Sequence, residues 1–191
     1  MHIFLQGRSG IGKSSLLKEA LELYIAEISG FVVQRLTEGG QTIGFRAAPL
    51  ENGFPPLTAE YTPGLGGVFI IRGRYDIIVL EETILRVEGE SLKTGCKLLL
   101  MDEIGGIELA SRVFMASLER ILSGNKPCAG VFKSRDNLAR ASRNLDLGRE
   151  YGALHRELEA RLYERGELLT VNEWNYSEIH DYLTDWIRRV K

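Results

Sequence analysis

His2-Ile3-Phe4-Leu5-Gln6 runs into Gly7-Arg8-Ser9-Gly10-Ile11-Gly12-Lys13-Ser14-Ser15, and apolar residues then recur at Leu16, Leu17, Ala20, Leu21, Tyr24 and Ile28. The first five residues form a short apolar run ending at glycine, the pattern of a buried strand. The last spacing lays one apolar stripe along a helix predicted over residues 13–28. Between them, Gly7 to Ser14 satisfies G-x-x-x-x-G-K-[ST] at every fixed position. A strand before the motif and a helix after it is the context in which that motif binds phosphate.

The residue types suit a polyphosphate. Glycines let the backbone turn tightly and bring N–H groups against phosphate oxygens without a Cβ in the way. The helix N-terminus adds unsatisfied N–H groups and the positive end of the macrodipole. Lys13 is expected to bridge the β- and γ-phosphates, and Ser14 to place its hydroxyl on Mg²⁺. The nucleotide-binding set is therefore Gly7, Arg8, Ser9, Gly10, Ile11, Gly12, Lys13, Ser14 and Ser15.

The second half of such a site lies in Leu98-Leu99-Leu100-Met101-Asp102-Glu103. A continuous apolar run is a strand buried on both faces. Open α/β sheets bind ligands at the carboxyl ends of their strands, and this one ends in two acids. Asp102 is expected on the metal, through water, because Mg²⁺ keeps much of its hydration shell. Glu103 is expected to orient and deprotonate a water in line with the γ-phosphate, which makes Glu103 and Lys13 the catalytic pair.

The rest of the chain reads as alternating strands and helices. Phe31–Leu36 and Thr42–Ala47 flank Glu38-Gly39-Gly40, a hairpin. Residues 48–67, with four prolines, read as a loop. Val68–Arg72 and Tyr75–Leu80 look like short strands. Ile107–Leu122, Arg149–Arg165 and Ser177–Val190 read as helices, and Ala129–Phe132 and Glu167–Val171 as strands. Short buried strands separated by helices predict a single α/β domain over 1–191, its mostly parallel sheet covered on both faces and extended at one edge by the antiparallel hairpin.

Composition narrows the partners. The formal net charge of −2 gives no broad basic field for nucleic acid or an anionic membrane. Cys96 and Cys128 lack the spacing of a zinc site or a disulfide framework, which points to a reducing cytosol. No leader pattern opens the chain and no run of about 18 apolar residues occurs. His2, His155 and His180 are scattered and read as ordinary surface or edge residues. Trp174 and Trp186 read as packing residues.

Gly7–Ser14, Gly30-Phe31 through Glu38-Gly39-Gly40 to Ile43-Gly44-Phe45, and Asp102-Glu103-Ile104-Gly105 occur in that order. Together they resemble the thermophile-type nucleoside-triphosphatase family over residues 1 to about 132. The resemblance implies a RecA-like P-loop core, dependence on Mg²⁺ and slow hydrolysis of ATP, GTP and other nucleoside triphosphates to the diphosphate and phosphate. Three departures stand out. The family usually has a lysine directly after D-E-I-G, where this chain has Gly106; Glu108 keeps an acid two residues on. Gln34-Arg35-Leu36-Thr37 replaces an acidic run ending in arginine. The segment 136–165 is longer and more basic than the family pattern. Arg35 and the arginines between 135 and 149 are candidates to restore the missing cation. A kinase acting on a small acceptor and a non-catalytic nucleotide switch remain alternatives at this stage.

Overall fold

The computed structural model describes residues 1–50 and 53–190. Strand β1 (His2–Gln6) is followed by α1 (Lys13–Leu21), β2 (Ile28–Glu38), β3 (Gln41–Pro49), β4 (Thr58–Glu60), β5 (Val68–Ile71), β6 (Arg74–Tyr75) and α2 (Ile77–Ser91). Then come β7 (Leu98–Ile104), α3 (Arg112–Ser123), β8 (Cys128–Phe132), α4 (Arg135–Leu145), α5 (Tyr151–Arg165), β9 (Gly166–Thr170) and α6 (Tyr176–Val190). The nine strands form one sheet in the order β6-β5-β3-β2-β7-β8-β1-β9, with β4 on β2. From β2 to β9 every neighbouring pair is parallel, and β3, β5 and β6 extend the other edge antiparallel. The order β9-β1-β8-β7-β2 is the RecA-like one, with β8 between the strand that feeds the loop and the strand that carries Asp102-Glu103.

Period-two alternation divides the core. Ile3 and Leu5 pack with α1 and α6, around the fully buried Trp186. Phe4 faces the opposite way, into a cluster with Ile84 and Val87 of α2, Phe114 and Leu118 of α3, and Leu158 of α5. Both faces are covered, so the central strands are apolar throughout.

Several boundaries differ from expectation. The helix from Lys13 ends at Leu21, and Glu22–Glu27 continue as a 3₁₀ turn, because Ile28 must join β7 opposite Leu98. The loop over 48–67 donates Ala48 and Pro49 to β3 and contains β4, which occupies the edge of β2 beyond the last residue paired with β7; residues 51 and 52 of that loop lie outside the described residues. Tyr75–Leu80 is not a strand past Tyr75. Asp76 accepts a hydrogen bond from the Ile78 N–H at 3.0 Å and caps α2, whose buried face is Leu80, Thr83, Ile84 and Val87. The helix predicted from Ile107 begins with a 3₁₀ turn and becomes α-helical after the cap at Ser111. Helix α4 has no counterpart in the sequence pattern, and α5 starts at Tyr151.

Two histidines are core groups rather than surface ones. Cys128 N–H donates to His2 Nδ1 at 3.1 Å, which leaves Nε2 as the donor to Leu122 O at 2.9 Å. His155 stacks on Phe132 with ring centroids 4.4 Å apart. Trp174, expected in packing, is 94% exposed on the turn before α6.

Gly30 explains part of the glycine pattern. It has φ 138°, and a Cβ there would stand 1.9 Å from Leu100 O on the neighbouring β7. Only glycine lets β2 lie this close to β7, where Phe31 pairs with Met101 beside the site acids. Gly30→Ala is therefore expected to cost roughly 3 kcal/mol, from backbone strain and overpacking together. Urea unfolding of the variant against wild type measures it, and a loss under about 1 kcal/mol would remove the argument.

Candidate nucleotide site

The loop after β1 wraps the N-terminus of α1. Gly7 has φ 145°, and a Cβ there would meet Val171 O at 2.5 Å, so the first motif position tolerates no side chain. Gly12 caps α1 in a left-handed conformation with no side-chain hydrogen bond, and the first helical turn holds no acid. The N–H groups at this end are left for an anion. Lys13, 4% exposed, folds back over the loop and donates to Gly7 O at 3.1 Å and Arg8 O at 3.0 Å. Burial lowers the pKa of its ammonium, and the charges of Glu103 and Asp102 oppose that.

Ser14 Oγ donates to Asp102 Oδ1 at 2.9 Å. The Val33 N–H donates to the other carboxylate oxygen at 3.0 Å. Asp102 is thus held by α1 and by β2, just past the point where the β2–β7 ladder ends at Phe31 and Met101. Burial first, then the neighbouring Glu103, pushes the Asp102 carboxyl up to about 7.

Glu103 follows on the same strand yet lines the same cavity. Successive strand residues ordinarily point to opposite faces. Here β7 and β8 fall out of step: Met101 pairs with Gly130 and Ile104 with Phe132, so Asp102 and Glu103 oppose Val131 alone. Glu103 takes φ 58°, a left-handed conformation rare outside glycine. The bulge turns both acids toward one space.

Lys133, the first residue after β8, reaches Glu103 Oε2 at 2.6 Å. Burial alone would raise the Glu103 carboxyl; the charge and hydrogen bond of Lys133, with Lys13 and Arg35 behind it, outweigh that and hold it below the ordinary carboxylate range. Glu108, 3% exposed, accepts from the N–H groups of Gly105 and of Gly106, the latter at 2.8 Å, and fixes the turn that follows β7. Its own carboxyl is raised by burial, against those hydrogen bonds.

These residues line a cavity of about 780 Å³. Ser9, Gly10, Gly12, Lys13, Ser14 and Ser15 line it together with Asp102, Glu103, Gly106, Glu108 and Lys133. Phe45, Phe69, Phe114 and Leu145 give it an apolar part. Gly7, Arg8 and Ile11 belong to the loop but do not line the cavity. Arg8 lies 3.6 Å from Glu173, while the Ile11 side chain packs on the core. Of the arginine candidates, Arg35 and Arg140 line the cavity, both exposed. Arg135 is tied to Glu159 at 2.6 Å, and Arg143 and Arg149 do not reach the cavity. Asn137 donates to Gly7 O at 3.3 Å, so α4 also touches the phosphate loop.

Sequence reasoning misses Lys133 and Asn137. Lys133 closes the apolar run of β8, and the rule that picks out Asp102 at the end of its strand applies equally there. Asn137 carries no such signal, because its helix is recognisable only once α5 shields it.

Strand, glycine loop and helix in a sheet of RecA-like order define a P-loop NTPase fold. The chain belongs to the NTPase family, whose model matches residues 2–158. It is 31% identical over 147 residues to nucleoside-triphosphatase THEP1 of Thermotoga maritima, covering 75% of this chain and 81% of that one. THEP1 of Methanocaldococcus jannaschii is 23% identical over 193 residues, 98% of this chain and 97% of the other. The solution structure of a human cancer-related nucleoside triphosphatase matches with a TM-score of 0.60 at 22% identity, covering 100% of this chain and 97% of that one. Among the described residues, no helix is long and apolar enough to cross a membrane.

A carboxyl raised by burial has an unfavourable charge. It binds more protons folded than unfolded between its ordinary range and about 7, so stability falls as pH rises through that window. Asp102→Asn removes the charge, and the Ser14 hydroxyl can turn to accept from the amide. Without metal or nucleotide, the variant is expected to be more stable than wild type by about 1 kcal/mol at pH 8, with the difference shrinking toward pH 4. Denaturant unfolding at both pH values checks this; equal stability at pH 8 would contradict it.

Proposed function

We propose that the whole chain acts as one domain, a Mg²⁺-dependent nucleoside-triphosphatase that releases phosphate from ATP, GTP and other nucleoside triphosphates. The observation that carries the reading is the convergence of Ser14, Asp102 and Glu103 on one space beside the phosphate loop.

The donor set suits magnesium. Ser14 and Asp102 are hard oxygen groups in contact, and the buried Asp102 carboxyl has a charge that a divalent cation would neutralise. Mg²⁺ keeps much of its water shell and would share phosphate oxygens, so the Ser14 hydroxyl and Asp102 acting through water would suffice on the protein side. When bound, the ion would neutralise charge on the β- and γ-phosphates, with Ser14 and Asp102 on its protein side.

The chain's own residues supply the rest. The N–H groups of residues 7–15 receive the phosphates. Lys13 exchanges the Gly7 and Arg8 carbonyls for phosphate oxygens. Glu103, kept ionised by its cationic neighbours, orients a water on the γ-phosphorus. A bond forms from the water oxygen to phosphorus as the bond from phosphorus to the β-bridging oxygen breaks. The electron pair leaves on the nucleoside diphosphate, and the water proton passes to Glu103 and then to solvent.

Transfer to a small hydroxyl acceptor is a second reading, favoured by the apolar part of the cavity lining. A cytosolic setting is supported by Cys96 and Cys128, which are free and buried. The formal charge of −2 offers nucleic acid no general attraction.

Glu103→Gln is expected to retain nucleotide binding while lowering steady-state phosphate release about 100-fold. Release from ATP and GTP by the purified protein with Mg²⁺ measures it. Turnover in the variant equal to wild type would sink the reading, and ADP formation that rises with an added acceptor would favour transfer instead.

A further inference from the structure

Lys133 is built in more firmly than a solvent lysine needs to be. Its N–H donates to Ile104 O at 2.8 Å. Its carbonyl accepts from His155 Nε2 at 2.6 Å, and the His155 ring stacks on Phe132. The backbone is thus pinned to β7 on one side and to α5 on the other. The ammonium meets Glu103, and Glu108 and Asp102 also favour its charge.

The stem runs through the space beside Gly106. A Cβ at Gly106 would stand 3.0 Å from Lys133 Cε and 3.2 Å from Glu108 Oε2. A side chain on the turn and the lysine from β8 compete for one volume, and here the lysine occupies it. Three carboxylates, Asp102, Glu103 and Glu108, surround two buried or half-buried ammonium groups, those of Lys13 and Lys133. Lys13 is already assigned to the phosphates that the loop receives. Arg35 and Arg140 line the cavity from exposed positions with longer reach and more freedom to lose. A cation that is already ordered stabilises developing charge without reorganising.

We propose that Lys133 is the second cation of the nucleotide site, reaching a γ-phosphoryl oxygen while it remains beside Glu103. It would supply positive charge from the end of β8. The proposal rests on the triphosphatase reading for its catalytic consequence, but its binding consequence stands separately. A diphosphate has no γ-phosphoryl, so Lys133 discriminates between tri- and diphosphate.

The test is Lys133→Met, which keeps the stem and removes the charge. Three quantities are measured on variant and wild type with Mg²⁺: affinity for ADP, affinity for the β,γ-imido analogue of ATP, and phosphate release. The expected result is unchanged ADP affinity, about a 10-fold loss of preference for the triphosphate analogue over ADP, and about a 100-fold fall in turnover. Unchanged preference and turnover would overturn the proposal. So would equal losses of ADP and analogue affinity, which mark a merely structural role. Lys133→Gln takes the same measurements if the methionine variant does not fold. Should wild type release no phosphate, the triphosphatase reading fails while the affinity comparison still decides on Lys133.

Discussion

Two successive carboxylates on one strand can serve one site only if the strand breaks its own alternation. Strand β7 does so at Asp102 and Glu103, which oppose the single residue Val131 of β8, and Glu103 absorbs the change at φ 58°. A left-handed non-glycine residue costs on the order of 1–3 kcal/mol. That cost must be offset nearby, and the contacts around the bulge are the means. The Val33 N–H and Ser14 hydroxyl hold Asp102, Lys133 holds Glu103, and Glu108 ties down the turn at Gly105 and Gly106. Much of the surrounding architecture follows from this. Gly30 brings β2 close enough for Val33 to reach Asp102, and β8 ends where Lys133 can reach Glu103.

The same arrangement stores charge in an unfavourable state. Asp102 is 1% exposed and its carboxyl is pushed up to about 7. Lys13 is buried and turned onto backbone carbonyls. In the proposed reading a polyanion would give Lys13 a better acceptor than two carbonyls, and a divalent cation would give Asp102 a counter-charge. Such ligands would gain binding energy because the folded site has already borne the desolvation, which is how preorganised electrostatics works.

What is legible in the chain is what local pattern encodes. The strand His2–Gln6 and the G-x-x-x-x-G-K-[ST] loop depend on neighbours in sequence, and β7 announces itself by its apolar run. Helix α2 escapes the pattern because its apolar start, Ile77 to Leu80, has no visible period until Ile84 and Val87 are included. Helix α4 escapes it because only Leu138 along it is buried; its amphipathic face looks onto the cavity and α5. His2 and His155 look like edge residues in sequence because their partners, 126 and 22 residues away, come from distant parts of the chain. The roles of Glu103 and Lys133 relative to each other depend on a register step that no periodicity records.

Resemblance to a family fixes chemistry more tightly than it fixes position. A charge beside the γ-phosphoryl is a requirement of the reaction, whereas the element that delivers it is a matter of which stem fits the space. The turn after β7 and the end of β8 open onto the same volume, as the close approach of a Gly106 Cβ to Lys133 Cε demonstrates. The glycine at position 106 is then no argument against a cation beside Glu103. It directs attention to whatever fills the space a side chain there would have taken, and here that is a lysine already paired with the proposed base at 2.6 Å.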